Sequence, residues 1–383
     1  MASSTRHGQA RRHLLLVSLG TTLLLAGCQT SRRPTVATPG AEPARPLAPT
    51  DRARNLVAII VPTSGSDGAI GQSISNAANL ALADSREQSL RITTYDSAAP
   101  GGAAGAARRA IDDGARLILG PLLAEDVRLA APVARKAKVP VIAFSNDEGV
   151  AGDGVYIMGF TPGQSIGRVV AQARTSGRGN FAALVPTGLY GQRATQAMLA
   201  AVRRSGGRMT VVEQYNRSPS AVKAAAARLK GKGNFDAVLI GDGGRMAALA
   251  APLLPHAAKY MGTELWASDK MLGKTPALRG AWYAAAPDAR FNQLSVRYRT
   301  RYGKSPYRLA SLGYDAVLLA VRSSRNWPVG KPFPARGLVD KDGFSGVDGN
   351  FRFGRDGIAE RLLEVRQVSA TGTTVVSPAA RAF

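Results

Sequence analysis

The sequence predicts an α/β chain made of two doubly wound, Rossmann-like lobes joined by a hinge. Apolar runs of strand length recur from Leu56 onward, and the segments between them carry helical spacing. Such alternation means parallel sheets with helices on both faces. There are more strand–helix units than one sheet holds comfortably, which divides them between two lobes.

Residues 1–27 read as a lipoprotein signal peptide and are set apart from the fold. Arg6, Arg11 and Arg12 form a positive start, and Leu14 to Leu25 is apolar apart from Ser18, Gly20, Thr21 and Thr22. That run is too short for a membrane-spanning helix, which needs about 20 residues. It ends in Leu25-Ala26-Gly27-Cys28, which resembles the lipobox of bacterial lipoproteins. The resemblance implies cleavage before Cys28 and its acylation, so a membrane is an expected partner through this lipid anchor. Each buried CH₂ contributes roughly 0.8 kcal/mol, and several chains on one residue hold far more firmly than one. The alternative is an ordinary signal peptide with a chance cysteine. Cys28 is the single cysteine of the chain, which favours the lipobox. In lipoproteins the next residue helps sorting. Here it is Gln29 rather than Asp, which favours the periplasmic face of an outer membrane if the host has two.

Residues 28–54 contain Pro34, Pro39, Pro43, Pro46 and Pro49 with few large apolar side chains, as expected of an extended tether. At about 3.1 Å per residue its upper reach is roughly 80 Å.

From Asn55 the pattern changes. Leu56–Val61 is continuously apolar, as in a strand buried on both faces. A Gly/Ser-rich turn at Thr63–Gly71 leads to a helix over Gln72–Asp84. Further strands are expected at Arg91–Tyr95, Arg116–Leu119, Val139–Phe144, Phe181–Val185, Thr210–Gln214, Asp236–Ile240, Glu264–Ala267 and Ala281–Ala286. Helical spacing marks Val127/Ala130/Ala131/Ala134, Ala194/Ala197/Met198/Ala201 and Met246/Leu249/Ala250/Leu253. Ser218-Pro219 reads as N-cap and first helical residue, and Gly206-Gly207 as a helix stop. Two more helices carry Phe291/Leu294/Ser295/Tyr298 and Leu309/Leu312/Gly313/Ala316. Phe351–Phe353, the turn Gly354-Arg355-Asp356-Gly357 and Leu362–Val368 read as an antiparallel hairpin. The module is expected over 55–376, with lobe I at about 55–161 and 268–325, lobe II at about 162–267 and 326–376, and a tail at 377–383. Thr161–Gln164 is the expected first crossing.

Several motifs sit in this order: Ile60-Val61-Pro62-Thr63-Ser64-Gly65 with Gly71-Gln72, Leu119-Gly120-Pro121-Leu122, Ala131-Pro132-Val133-Ala134, Val139-Pro140-Val141-Ile142, Tyr190-Gly191 and Gly313-Tyr314-Asp315-Ala316. Together, from Asn55 to about Val376, they resemble the type 1 periplasmic-binding-protein superfamily, especially the branched-chain amino-acid receptors. That resemblance implies the type 1 periplasmic binding protein fold and a small-molecule ligand in the inter-lobe cleft. Amino-acid receptors commonly hold the ligand carboxylate with a Ser, where this chain has Ala124, followed by Glu125 and Asp126. The run Gly120-Pro121-Leu122-Leu123 with Val127, and the segment Phe344–Phe353 with Gly357 and Arg361, resemble instead the penicillin-binding-protein activator lipoproteins. This implies a peptidoglycan synthase as partner. The larger activators carry an N-terminal helical-repeat domain, where only the tether is expected here. The leading expectation is therefore a regulator of cell-wall synthesis, with a substrate-binding lipoprotein of an ABC importer as the alternative.

Ligands of doubly wound sheets sit outside the carboxyl ends of the strands. That rule places Thr63, Ser64, Gly65, Gln72, Leu122, Ser145, Asn146, Tyr190, Asp242 and Asp269 near the cleft. Ser64 and Gly65 offer donors to an anionic group, Tyr190 a cover for an apolar part, and Asp269 matches the acidic residue that amino-acid receptors set against the ligand ammonium. Ser64, Gln72 and Asn146 equally suit turn and cap roles.

Composition narrows the chemistry. With Cys28 unique, the module has no disulfide and no catalytic thiol. After signal-peptide removal only His256 remains of the three histidines, which disfavours a His-ligated metal and most nucleophile–His mechanisms. Ile240-Gly241-Asp242-Gly243-Gly244 lacks the lysine and spacing of a P-loop. Asp147, Glu148, Asp242 and Asp269 do not form a hydrolase carboxylate motif. A binder rather than an enzyme is expected, with no cofactor and no metal. The formal charge of +24 becomes +21 without Arg6, Arg11 and Arg12. It favours anionic surroundings, but the basic residues are dispersed and form no nucleic-acid module, so no nucleic-acid partner is expected.

Overall fold

The computed structural model describes residues 53–383, Lys270 excepted. The expected signal peptide, Cys28 and the tether up to residue 52 lie outside the described residues.

Lobe I opens with β1 (Asn55–Val61), α1 (Gly68–Ser85), β2 (Leu90–Asp96), α2 (Gly102–Asp112), β3 (Ala115–Leu119), α3 (Ala124–Lys136), β4 (Val141–Ala143) and β5 (Val155–Ile157). Its parallel sheet runs β2-β1-β3-β4-β5. Every residue of β1 is buried, and the reason is visible in its alternation. Val57, Ile59 and Val61 join the core on one face, while Leu56, Ala58 and Ile60 join the core on the other. A strand with apolar partners on both sides has no polar phase, hence the unbroken apolar run in the sequence.

Lobe II repeats the plan with α4 (Pro162–Thr175), β6 (Asn180–Pro186), α5 (Leu189–Arg204), β7 (Arg208–Tyr215), α6 (Pro219–Gly231), β8 (Ala237–Ile240), α7 (Gly244–Ala250), β9 (Lys259–Gly262) and β10 (Trp282–Ala285). Ala182 and Leu184 of β6 face one core, and Phe181, Ala183 and Val185 the other. The Ser218 side chain accepts from Ala221 N and starts α6 as an N-cap. Gly206, with φ of 67°, follows the end of α5.

One glycine in each lobe sets the helix that follows the first strand close against it. A Cβ on Gly71 would lie 1.7 Å from the Pro62 carbonyl oxygen, and one on Gly191 would lie 1.6 Å from that of Pro186. Only hydrogen fits at either place.

After β10 the chain returns to lobe I. There α8 (Ala289–Tyr302) and α9 (Ala310–Ser324) pack on the β1 face through Leu294, Tyr298, Leu312 and Ala316. A small antiparallel sheet of β11 (Phe344–Gly346), β12 (Gly349–Phe353) and β13 (Ala359–Arg361) adds Phe351 and Phe353 to the same core. A third crossing leads to β14 (Glu364–Ser369) and β15 (Gly372–Ser377), antiparallel additions to lobe II, whose order is β15-β14-β10-β9-β8-β6-β7.

Four expectations need correction. The return to lobe I falls after β10, near residue 286, not at 268, because Trp282 and Tyr283 pair with Met261 and Gly262 of β9. Residues 326–361 belong to lobe I, not lobe II, since Trp327, Phe333, Leu338, Val347, Phe351 and Phe353 fill its core. Glu264–Trp266 is a 3-10 turn rather than a strand, with Thr263 capping Leu265 N; the strand is the preceding segment β9. Finally, Phe351–Phe353 pairs with β13, while Leu362–Val368 crosses between lobes and enters the other sheet. Residues 377–383 also fold back: Ser377 Oγ accepts from Arg168 Nη2 at 2.6 Å, and the Arg381 carbonyl from Asn350 Nδ2 at 2.8 Å.

Candidate functional site

The two lobes line a partly open cavity of about 360 Å³. Lobe I supplies Asp67 and Ile70 from α1, Leu122 and Leu123 from the β3–α3 turn, Phe144 and Asn146 after β4, and Arg308 and Leu309 before α9. Lobe II supplies Thr161, Gln164 and Ser165 around the start of α4, Glu264 and Leu265 after β9, and Ala284–Ala286 at the end of β10. The lining is mainly apolar with a few convergent polar groups, the usual make-up of a small-molecule site. It lies at the carboxyl ends of β3, β4, β9 and β10, as the topology of wound sheets requires.

Glu264 organises the polar side. Its Oε2 accepts from Ser165 Oγ at 2.6 Å, and the Tyr190 hydroxyl stands 2.9 Å from its Oε1 and from Thr263 Oγ1. Burial pushes the Glu264 carboxyl above its ordinary range; the bonds from Ser165 and Tyr190 hold it down, and the charge of Glu148 adds to the rise. Burial, followed by the charge of Glu264, raises the Tyr190 phenol well above its usual value. The Tyr190 hydroxyl therefore stays protonated and braces the carboxylate.

Arg308 is the cationic residue of the wall among the described residues. Its Nη1 is 2.5 Å from Asp348 Oδ1 and 2.9 Å from Ser311 Oγ. Its guanidinium carbon lies 4.3 Å from the centre of the Phe291 ring and 5.5 Å from that of Phe160. Asp348 belongs to a fully buried group with Asp315 on α9 and Arg361 on β13. Val347 N and Asp348 N donate to Asp315, and Arg361 packs between the rings of Phe160 and Phe351.

Of the residues expected at the cleft, Leu122 and Asn146 line the cavity and Tyr190 stands one bond behind Glu264. The others lie outside it. Ser64 Oγ donates to Asp96 Oδ2 at 2.7 Å, and Gly65, with φ of 72°, turns the β1–α1 loop. Gln72 is exposed on α1 and donates to Asn76 Oδ1. Ser145 Oγ accepts from Asp147 N, fixing the turn after β4. Asp242 is buried and satisfied by Tyr215 Oη, Arg217 Nε and Gly243 N. Asp269 accepts from Met271 N and lines a separate depression with Gly273 and Gly372. The acidic residues of the wall are Asp67 and Glu264, the latter on a 3-10 turn rather than in a strand. Arg308, Gln164 and Ser165 were also missed. Pro162 after Thr161, as first residue of a helix, was the available signal for the last two.

A pair of wound α/β lobes is thus joined by three crossings around a partly open cavity. Residues 56–373 match the family described as periplasmic binding protein, and the chain belongs to that family. Its fold is that of the type 1 periplasmic binding proteins. Solved structures agree on the fold. A putative branched-chain amino acid ABC transporter protein of Rhodospirillum rubrum is 21% identical, with a TM-score of 0.73 over 84% of this chain and 100% of that one. A leucine binding protein of Thermotoga maritima MSB8 is 20% identical, with a TM-score of 0.65 over 84% and 98%. A solute binding protein of Rhodopseudomonas palustris BisB5, in complex with 3,4-dihydroxy benzoic acid, is 19% identical, with a TM-score of 0.66 over 86% and 97%. Among curated proteins, an uncharacterized protein of Rickettsia prowazekii (strain Madrid E) is 24% identical over 173 residues. That match covers 45% of this chain and spans about half, 46%, of the relative.

Proposed function

We propose that the chain is an exported solute-binding protein of the ABC-importer type, which takes a small, largely apolar molecule between its lobes. The carrying observation is the cavity of about 360 Å³ with walls from both lobes. A ligand touching both walls favours the closed arrangement by its differential contacts, and closure is what a receptor reports to its partner. Membership of the periplasmic binding protein family supports this reading over the regulatory one. The activity is binding, and no reaction is assigned to the site.

Acylation at Cys28 and a periplasm-facing outer-membrane location belong to the same proposal and rest on the lipobox resemblance. Regulation of a peptidoglycan synthase rests on the Gly120–Leu123 and Phe344–Phe353 resemblance to the activator lipoproteins, and stands as the second reading.

Calorimetry of the purified protein against a broad panel of amino acids, amines, aromatic acids and sugars tests the proposal. One solute binding at micromolar strength with one-to-one stoichiometry is expected. Silence across the panel, with co-purification of a synthase, would favour the regulator instead.

A further inference from the structure

We infer that the inter-lobe cavity selects a solute with an apolar body and a protonated amine, and discriminates against carboxylates. This rests on the solute-binding reading and narrows it to a chemical class.

The first ground is the state of the helix N-termini at the cleft. A helix N-terminus carries roughly half a positive charge and invites an anion. Here the chain's own acidic residues stand at those of α1, α3 and α4, while that of α9 begins at Leu309 beside Arg308. Asp67 occupies the N-cap position of α1. Glu125 and Asp126 fill the first turn of α3. Glu148 reaches α4 from the other lobe, its Oε1 2.5 Å from where a Cβ of Gly163 would be. Of these Asp67 lines the cavity itself, so a ligand carboxylate at α1 would meet a charge rather than a free dipole.

The second ground is the engagement of the wall's cation. Arg308 is held by Asp348 at 2.5 Å and by Ser311, with Phe291 stacked on it. Recruiting it to a ligand carboxylate would strip a fully buried Asp348 of its partner, a costly exchange.

The third ground is the surplus of acceptors. Each Glu264 oxygen takes one hydrogen bond, from Ser165 or Tyr190, and each can accept another. The carboxylate is fixed from two sides before a ligand arrives. Thr161 Oγ1 and Gln164 Oε1, of residues on the same wall, are buried without a hydrogen-bond partner. An ammonium carries three donors and no acceptor, and so complements such a wall. Ile70, Leu122, Phe144, Phe160 and Leu265 leave the rest of the space to an apolar body.

Calorimetric titration of the full-length protein with isopentylamine, phenethylamine, isovalerate, phenylacetate, leucine and phenylalanine tests this. The amines are expected to bind, and the acids at least tenfold more weakly. Glu264→Gln should weaken amine binding at least tenfold while its thermal unfolding midpoint stays close to that of the wild type. Ser165→Ala, which loosens Glu264 without removing it, should give a smaller loss. An acid or amino acid bound as tightly as the amines, or amine affinity unchanged in Glu264→Gln, would overturn the inference and leave the solute-binding reading standing. Silence to both amines overturns it as well. Silence to the wider panel in addition would remove the reading beneath it.

Discussion

Arg193 on α5 donates from Nε to Asp147 Oδ1 at 3.0 Å and so ties lobe II to lobe I. Asp147 is 4% exposed and also takes Arg128 Nη2 at 2.6 Å and Gly149 N at 3.0 Å. A Cβ on Gly149 would lie 2.0 Å from the Arg193 guanidinium, so the glycine leaves room for this inter-lobe contact. Arg193→Ala is expected to weaken lobe closure by about 1 kcal/mol, since Asp147 keeps its other partners. Small-angle scattering should show a larger radius of gyration for the variant without ligand, and a shift back when ligand is added. An unchanged radius would mean the pair contributes nothing to closure.

Gly191→Ala should be among the more damaging single changes. The new methyl would meet the Pro186 carbonyl at 1.6 Å and push α5 away from β6. A loss of about 2 kcal/mol or more is expected, read by denaturant midpoint. Because α5 carries Tyr190, which braces Glu264, ligand affinity should fall with it.

The buried group around Asp315 predicts a pH dependence of stability. Burial, then the charge of Asp348, raises the Asp315 carboxyl above its ordinary range. A raised acid binds more protons folded than unfolded. Its contribution is therefore complete below about pH 4 and is lost as pH rises towards neutrality. Asp315→Asn should flatten this part of the stability–pH curve in thermal melts. Arg361→Met leaves both buried acids with less compensation and should cost about 3–5 kcal/mol.

Glu264 sets the expected pH dependence of ligand binding. Burial raises its carboxyl, and an ammonium ligand needs it ionised. Amine affinity should therefore rise with pH through and above the ordinary carboxylate range, with proton release seen as a buffer-dependent binding enthalpy. Glu264→Gln should abolish that slope.

The lobes themselves were legible because a strand buried on both faces, such as Leu56–Val61, has nowhere to place a polar residue. The carboxyl-end rule led to Leu122 and Asn146 for the same topological reason. Sheet membership was not legible. Trp282–Ala285 reads the same in either lobe, and only its register with Met261 and Gly262 assigns it. Glu264 was hidden because Leu265-Trp266-Ala267 has strand-like composition, whereas the Thr263 cap turns the segment helical. Arg308 came into view only through α8 and α9 folding back onto lobe I, a long-range relation no local pattern carries.

If Cys28 is acylated as proposed, Cys28→Ser should move the protein from the membrane fraction to the soluble one on ultracentrifugation. A wild-type protein already in the soluble fraction would contradict acylation at Cys28.

The most direct measurement titrates a bound solute against Leu122→Trp, whose indole would take up space in the cavity from the β3–α3 turn, at a residue outside the Glu264–Ser165–Tyr190 hydrogen bonds. One-to-one binding is expected in the wild type, with affinity weakened at least tenfold in Kd in the variant that still folds by circular dichroism. Undiminished binding in Leu122→Trp would place the solute elsewhere and contradict the inter-lobe site.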